Sequence, residues 1–361
     1  MKKTEHKYDE LSVIPHSQPT LGREEVQRVA EVIESAQIAQ GEKVRQFEQA
    51  FGTRLGTGDG VATSSGTAAL HLTLRAMNIG EGDEVIIPSY VCSALLNAVH
   101  YVGATPVPAD IDPATCNLDP ADVKKRLTAR TRAIIAPHLF GLPADLDDLL
   151  GLNVPVIEDC AQAVGSTYRG NPVGSFGYAA VFSFYATKVM TTGEGGMVVS
   201  NSTEFIEHVR DFREYDNRDD YKIRYNYKMT DIQAAIGLHQ LDRLKRFIQK
   251  RKSIANRYNQ KFGNAGFKLP PYDPGHIYYR YVIDLATRAA PWIKALAQKK
   301  ITCALPVHMP LHRYLELKGY PQTERVWKQS ISLPIYPALS EGQIDQVIDA
   351  FLKTAEELKR D

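Results

Sequence analysis

Cysteine is scarce in this chain of 361 residues, which contains only four. The four stand far apart, with no CxxC pair and no histidine at the spacing of a metal-ligand set. We therefore expect buried free thiols rather than a disulfide framework or a zinc site, and no metal site. The cysteines are Cys92, Cys116, Cys160 and Cys303.

Net charge and long apolar runs are also lacking. Lys and Arg number 43 and Asp and Glu 42, so the formal net charge is +1. Such a balance offers no general attraction for nucleic acid or an anionic membrane, and any anion site must be local. No run approaches the ~18 apolar residues of a membrane span, and the first residues lack the apolar core of a signal peptide. We expect a cytoplasmic protein that binds neither nucleic acid nor membrane.

The length suits one large domain and one smaller domain. Hydrophobic residues make up 43% and charged residues 24% of the chain, so a sizeable core is possible. Residues 1–20 are polar and contain two prolines, and they are expected to form an extended arm. A large domain is expected at 21–245 and a small C-terminal domain at 246–361.

Short apolar runs alternate with helical patterns through the first two thirds of the chain. This alternation predicts an α/β fold with a mostly parallel sheet. Strands are predicted at 84–87, 105–110, 132–137, 154–158, 178–184, 197–200 and 278–285. Helices are predicted at 23–37, 43–55, 91–102, 120–127, 230–262, 291–299 and 341–359, and in a run after 67 that ends near 80.

The sequence Ser64-Ser65-Gly66-Thr67 stands at an apparent junction between a strand and a helix. A helix N-terminus has unpaired N–H groups and a partial positive charge, which favour a phosphate. Gly66 permits close backbone approach, and Thr67 adds a hydroxyl donor. The alternative is an ordinary N-cap without a ligand.

Glu158 and Asp159 follow the apolar strand predicted at 154–158. In open α/β sheets ligands bind at the carboxyl ends of the strands. A carboxylate at that position can pair with a protonated ring nitrogen, as a pyridoxal 5'-phosphate (PLP) electron sink requires. The alternative is an aspartate that caps the next helix.

Lys188 follows a segment rich in aromatic and hydroxyl side chains, 182–187, and precedes the glycine-rich turn 191–196. A lysine that is partly desolvated beside other positive charge becomes a usable nucleophile and can bond covalently to a carbonyl carbon. The alternative is an exposed lysine in a turn.

The segment 225–237 begins the long predicted helix. Thr230 or Asp231 could cap that helix. Asn226 and Lys228 lie just before it, where an anion could sit.

These segments together resemble the PLP-dependent sugar aminotransferases of the DegT/StrS group. The resemblance is carried, in order, by SSGTAAL, GDEVIIPSY, VIEDCAQAVGS, GSFGYAAVFSFYATK, TGEGGMVVSN and YNYKMTDIQAAIGLHQL. It extends from Pro15 to 332–340. It implies a fold-type I enzyme with a mostly parallel central sheet flanked by helices and a smaller α+β C-terminal domain. It also implies a homodimer with composite sites at the subunit interface.

The resemblance assigns roles residue by residue. Lys188 matches the lysine to which the cofactor is covalently bound. Asp159 matches the partner of the pyridine nitrogen, and Gln162 the residue beside the ring oxygen. The phosphate contacts are Gly66, Thr67, Ser183 and, from the neighbouring subunit, Asn226; Tyr185 and His308 are expected near the sugar substrate.

Cys92 departs from the family pattern. Family members usually carry an aromatic residue there, which stacks on the cofactor ring. Polarizable sulfur can also contact a ring face, so Cys92 is expected to bind the cofactor. Tyr90, two residues earlier, could compensate if the loop shifts. The alternative is a buried thiol without cofactor contact.

The implied reaction moves an amino group from an amino acid, by family habit L-glutamate, to a nucleotide-linked keto-deoxysugar. The product is an aminosugar for surface polysaccharide or secondary metabolite synthesis, and the kinetics are ping-pong. Two alternatives are a PLP-binding regulator without turnover and another fold-type I enzyme, such as a sugar dehydratase or an aldolase. Lys188 favours amino transfer, because dehydratase relatives have histidine at that position. No helix-turn-helix extension or basic patch typical of a regulator is found.

Overall fold

The structure, a computed structural model, describes residues 13–359. Residues 1–12 of the expected arm lie outside the described residues. Ile14 in the remainder of the arm forms an isolated bridge with Ile301 and is buried in the C-terminal core. This part of the arm is therefore anchored to the C-terminal region.

Eleven strands are found among residues 13–359. They are β1 (Gly60–Thr63), β2 (Glu84–Pro88), β3 (Thr105–Ala109), β4 (Thr131–Pro137), β5 (Val156–Asp159), β6 (Thr167–Tyr168), β7 (Asn171–Pro172), β8 (Ala179–Ser183), β9 (Gly196–Val199), β10 (Tyr281–Asp284) and β11 (Ser330–Leu333).

Seven of these strands form the central sheet, in the order β1-β9-β8-β5-β4-β2-β3. The neighbours β2–β3, β2–β4, β4–β5 and β5–β8 are parallel, whereas β9 is antiparallel to both β1 and β8. The sheet is mostly parallel, as predicted. Because parallel strands share an orientation, Pro88, Pro137, Asp159 and Ser183 end their strands at the same edge.

The helices flank this sheet and continue into the C-terminal region. They are α1 (Arg23–Glu34), α2 (Glu42–Leu55), α3 (Gly66–Ala76), α4 (Ala94–Tyr101), α5 (Pro120–Arg126), α6 (Leu146–Leu150), α7 (Thr203–Arg213), α8 (Asp231–Asn264), α9 (Ala289–Gln298), α10 (Leu311–Tyr314), α11 (Pro321–Gln329) and α12 (Glu341–Glu357). No helix within 13–359 is both long and apolar enough to cross a membrane.

The predicted strands and helices are confirmed, with shifted ends. The helix predicted at 91–102 begins only at Ala94, because the residues before it form the loop that follows β2. The helix predicted at 23–37 ends at Glu34, and Ala36 has a positive φ of 59° that stops it. The sequence analysis missed α6, α7, α10, α11, β6, β7 and β11.

A second core lies in the C-terminal region, where β10 and β11 pair antiparallel and α9 and α12 pack nearby. The helix α8 runs through both cores. Leu241 and Leu244 pack with residues of the central-sheet region, and Ile254 and Phe262 pack in the second core. The domain boundary that we propose, between 245 and 246, lies inside this continuous helix.

Candidate active site

A cavity of about 260 Å³ lies at the carboxyl edge of the central sheet. Its walls come from the start of α3, the loop after β2, the end of β5 and the loop after β8. Eight of the ten residues expected at the site line this cavity: Gly66, Thr67, Cys92, Asp159, Gln162, Ser183, Tyr185 and Lys188.

One end of the cavity, called the anion end below, is the N-terminus of α3 at Ser65–Thr67, where the helix dipole would favour an anion. Ser65 caps α3, with its Oγ accepting from the Ala68 N–H at 3.1 Å. The first N–H groups of a helix have no acceptor within the helix, so those of Gly66 and Thr67 are available to a phosphate. A β-carbon at Gly66 would lie 2.8 Å from the Ser183 β-carbon, so only glycine lets α3 approach β8 this closely.

Asp159 is a buried carboxylate in the cavity wall. Within 13–359 the side-chain carboxylate accepts one hydrogen bond, from the Ala161 N–H at 3.0 Å, and no cation in that range lies at ion-pair distance from it. Burial raises the pKa of Asp159, although the Ala161 N–H and the charges of Lys188 and His138 oppose the rise. A buried carboxylate without an ion-pair partner could pair with a cationic ring nitrogen, and PLP carries such a nitrogen.

Gln162 is oriented by a backbone group. The Phe140 N–H donates to Gln162 Oε1 at 2.9 Å, so the amide Nε2 remains free to donate into the cavity. Phe140 has φ 60° and ψ 13°, a left-handed conformation that is strained for a non-glycine residue. The N–H group of this left-handed residue is the donor that fixes the Gln162 amide in the cavity wall.

Lys188 lies in a closed loop after β8. Tyr185 bridges to Gly193, and the Thr192 N–H donates to the Phe184 carbonyl at 2.9 Å, so the two ends of the loop are tied together. Lys188 is half-buried in the cavity wall. Its Nζ lies 5.3 Å from the centre of the Tyr279 ring.

Glu158 points away from the cavity and is fully buried. Its oxygens accept from the N–H groups of Gly174 (2.7 Å), Phe176 (2.8 Å) and Gly177 (2.7 Å) and contact His138 Nε2 at 3.1 Å. Burial by itself would raise the pKa of Glu158, but His138 and the N–H groups of Gly174 and Gly177 lower it.

His138, Glu158 and Cys160 place three potential metal ligands within 4.8 Å of one another. The hydrogen bonds of Glu158 already use its oxygens. His138 Nδ1 accepts from the Ala144 N–H at 3.0 Å, which leaves Nε2 as the donor to Glu158. His138 and Glu158 are thus engaged in a hydrogen-bond network.

The expectation of buried thiols is wrong for two cysteines. Cys92 is exposed and lines the cavity, and Cys116 is half-buried; Cys160 and Cys303 are buried, and all four are free. Cys92 is exposed because the loop after β2 opens towards the cavity. Tyr90 is fully buried and packs edge-on against Phe140, with ring centres 6.4 Å apart, so it does not replace the missing aromatic residue.

Two expected site residues, Asn226 and His308, do not line the cavity of the single chain. Both are exposed. Asn226 lies between Tyr225 and Tyr227, whose rings stack with centres 5.1 Å apart. The Tyr227 carbonyl accepts from the Ser64 N–H at 2.8 Å, so the segment runs beside the anion end of the cavity.

The sequence analysis overlooked Ser65 and Glu194 as cavity residues. Both stand in motifs that carry the family resemblance, SSGTAAL and TGEGGMVVSN, but only other residues of the chain were assigned a role. Tyr279 was also overlooked, and no pattern near it in the sequence indicates a contact with Lys188.

Comparison with known proteins agrees with this geometry. A family model described as the DegT/DnrJ/EryC1/StrS aminotransferase family matches residues 19–352. The spore coat polysaccharide biosynthesis protein SpsC of Bacillus subtilis is 36% identical over 93% of this chain and 96% of its own length. A GDP-perosamine synthase of Caulobacter vibrioides is 37% identical over 94% of this chain and 98% of its own length.

The crystal structure of the aminotransferase TlmJ from Streptoalloteichus hindustanus superposes with a TM-score of 0.90. It is 32% identical, and the match covers 96% of this chain and 100% of that one. The expected fold, with its mostly parallel sheet, is confirmed. The chain belongs to the DegT/DnrJ/EryC1/StrS family and is a fold-type I, PLP-dependent sugar aminotransferase.

Proposed function

We propose that this enzyme transfers an amino group from L-glutamate to a nucleotide-linked keto-deoxysugar. The product would be an aminosugar for surface polysaccharide or secondary metabolite synthesis, made in the cytoplasm. The observation that carries the proposal is the single cavity that unites Lys188, Asp159 and Gln162. The names of two relatives, a GDP-perosamine synthase and a spore coat polysaccharide biosynthesis protein, support a sugar substrate.

Each of these cavity residues has a separate role in the proposed reaction. PLP, when bound, supplies an electron sink for negative charge at the amino-bearing carbon. Asp159 keeps the ring nitrogen protonated, because its buried carboxylate gains a cationic partner. Lys188 Nζ removes a proton from the reacting carbon and returns one, as a general acid–base. Gln162 Nε2 and the first N–H groups of α3 orient the cofactor.

The open side of the cavity fits a polar substrate. Tyr185, which is 46% exposed, and Glu194 line it with groups that can hydrogen-bond sugar hydroxyls. We place the sugar on this side and the phosphate of the cofactor at the start of α3. His308 remains a proposed contact of the nucleotide-linked substrate, outside the cavity of the single chain.

A spectroscopic experiment separates this function from a regulator without turnover. The purified protein should lose its PLP absorbance when L-glutamate is added and regain it when a suitable keto-sugar follows. Lys188→Ala should not respond, whereas Lys294→Ala, which changes an exposed lysine on α9, should behave as the wild type. A wild-type spectrum unchanged by any amino donor would reject the proposal.

A panel of nucleotide-linked keto-sugars with labelled glutamate identifies the acceptor. Transfer of label to one class, with the keto group at C3 or C4, gives the regiochemistry. Release of ammonia without labelled aminosugar would instead indicate a dehydratase.

We also propose a homodimer with composite sites. Asn226 is exposed beside the anion end of the cavity, and the same segment exposes Tyr215, Tyr221 and Ile223. Exposed apolar side chains grouped in this way are typical of an interaction surface.

Mixed dimers test this assembly. Lys188→Ala and Asn226→Ala should each be inactive alone and should regain activity when mixed, because one site of the mixed dimer is intact. Lys188→Ala mixed with Asp159→Asn is the matched control and should stay inactive, since both changes affect the same chain's cavity. A fully active monomer in sedimentation would contradict the proposal.

A further inference from the structure

Tyr279 approaches Lys188 from the segment that precedes β10. The ring is buried, and its centre lies 5.3 Å from Lys188 Nζ. The Tyr279 hydroxyl lies 3.4 Å from Thr187 Oγ1, so ring and hydroxyl both contact the loop that carries the lysine. An ammonium group over an aromatic face is attracted by the ring electrons.

Positive charge is concentrated around this ring. The Arg280 guanidinium lies 5.4 Å from the ring centre, and Arg251 Nη1 donates to the Tyr279 carbonyl at 3.0 Å. Within 13–359 neither arginine forms an ion pair with a carboxylate. Burial by itself would raise the pKa of Tyr279, but Lys188, Arg280, the hydrogen bond with Thr187 and Arg251 together lower it to about 8.

The other titratable groups nearby do not cancel this charge. His16, in the N-terminal segment, lies 3.2 Å from Arg280 Nη1 through its Nε2. Burial and Arg280 lower the pKa of His16 to about 3, so this ring is neutral near pH 7. Asp159, in the cavity wall, interacts with the charge of Lys188, but burial raises the pKa of this carboxylate.

The position of Tyr279 is held by contacts between distant segments. Arg251, on α8, also donates to the Ile335 carbonyl at 2.8 Å. The Ile277 N–H donates to the Gly141 carbonyl at 3.0 Å. A β-carbon at Gly141 would lie 3.0 Å from the Tyr279 nitrogen, so the glycine allows this close approach. The tyrosine is therefore locked against the loop that orients Gln162.

We propose that Tyr279 is a positioning residue for Lys188, whose amine rests against the tyrosine ring face and is thereby kept at the cavity. The kinetic part of this inference rests on the proposed function, in which Lys188 moves a proton in both half-reactions. The contact itself does not depend on that function. Loss of the ring frees a flexible side chain, so both half-reactions should slow by the same factor.

The first experiment uses the full chain without cofactor or substrate. Ultraviolet difference spectra recorded against pH should show one tyrosine that ionises near pH 8. Tyr279→Phe should lack this step, and Lys188→Ala should move it to higher pH because a positive neighbour is gone. Tyr281→Phe is the matched control: Tyr281 is also buried but donates to Asn259 Oδ1, and its loss should leave the step in place.

A step that persists in Tyr279→Phe, or that does not move in Lys188→Ala, would overturn the contact. Circular dichroism checks that each variant is folded. Because this experiment needs no amino transfer, it is decided separately from the proposed function.

The second experiment uses the PLP-loaded enzyme in single turnovers. Tyr279→Leu should slow both half-reactions equally, by about 2- to 30-fold, the range of a cation–π contact. Tyr279→Phe keeps the ring and should retain most of the rate. An effect on KM alone, or on only one half-reaction, would contradict a positioning role for Tyr279.

Discussion

Glu158 and Asp159 are adjacent carboxylates at the end of β5, yet their side chains lie on opposite sides of the central sheet. Behind the sheet, Glu158 accepts from three backbone N–H groups and contacts His138, and its pKa is lowered. In the cavity, Asp159 has one backbone donor, and burial raises its pKa. The hydrogen bonds of the first carboxylate are completed within the fold, whereas the second has no cation at ion-pair distance among residues 13–359.

The difference shows how a buried acid is assigned to structure or to function. Burying a charge is unfavourable unless hydrogen bonds or an opposite charge compensate for it. Glu158 is compensated by its own chain and joins the ends of β4 and β5 to the turn at 174–177. Asp159 has no such compensation among residues 13–359, and it is the carboxylate that we propose as the partner of the cofactor nitrogen.

Asp159→Asn gives the largest expected effect on activity. The ring nitrogen loses its anionic partner, and we expect kcat/KM to fall about a thousandfold, or ~4 kcal/mol. PLP should remain bound, and the cofactor-free variant should be as stable as the wild type or more so, because an uncompensated buried charge is removed. Steady-state kinetics and chemical denaturation measure both effects. Near-normal turnover would remove the assigned role from Asp159.

Glu158→Gln should show the opposite pattern. The glutamine NH₂ would face backbone N–H groups that donate to a carboxylate oxygen in the wild type. We therefore expect the free energy of unfolding to fall by ~3 kcal/mol. Activity at a temperature well below the melting point should change less than in Asp159→Asn. Denaturant titration of the two variants side by side is the measurement. Equal stability of Glu158→Gln and the wild type would refute the structural role.

The pH dependence of stability should also have opposite signs at the two sites. Glu158 has a lowered pKa, so its contribution is present above its unfolded value of 4.5 and is lost as the pH falls below it. Asp159 has a raised pKa, so any advantage of Asp159→Asn exists at neutral pH and disappears as the pH falls towards 3.8.

Unfolding of the cofactor-free wild type and both variants between neutral and acid pH checks these signs. The deficit of Glu158→Gln should shrink on acidification, and so should the advantage of Asp159→Asn. Curves that stay parallel across this range would show that neither carboxylate titrates differently in the folded state.

Cys92→Phe should have the smallest effect, because this part of the cavity wall is exposed and does not depend on hydrogen bonds. A ring–ring contact adds roughly 0.5–1.5 kcal/mol, and a sulfur contact roughly 0.3–1.5 kcal/mol. We expect PLP affinity to change by no more than about tenfold, or ~1.4 kcal/mol.

The exposed position also leaves room for the larger side chain, so the melting temperature should stay near that of the wild type. Cofactor titration and thermal melts provide the two measurements. A large loss of stability with an unchanged cofactor spectrum would place Cys92 in the core and away from the ring.

Much of the site was predictable because its signals are local. The apolar run before Asp159 places it at a strand end, and the run before Lys188 places this lysine in the loop that follows a strand; parallel strands bring such ends to one edge. The ordered motifs then identified the family, which the match of the family model to residues 19–352 confirms. Alternation along a strand also implies that Glu158 and Asp159 face opposite sides. It does not say which side is the cavity.

Other features depended on segments that meet only in the folded chain. Cys92 is exposed because of the way the loop after β2 opens. Tyr90 is kept out of the cavity because it packs against Phe140. The orientation of Gln162 depends on the left-handed backbone of Phe140, a phenylalanine that carries no local signal for that conformation.

The ordered motifs of the sequence determined the family, and the roles expected for Lys188 and Asp159 come from that resemblance. The sequence by itself also determined the alternation of strands and helices and the turn from strand to helix at Gly66. The alternation and the turn follow from periodicity, capping and turn chemistry, which act between near neighbours. Only the tertiary structure decided that Glu158 is satisfied while Asp159 is not, and that Tyr279 lies against Lys188. Such contacts join residues far apart in the chain, and packing rather than local preference brings them together.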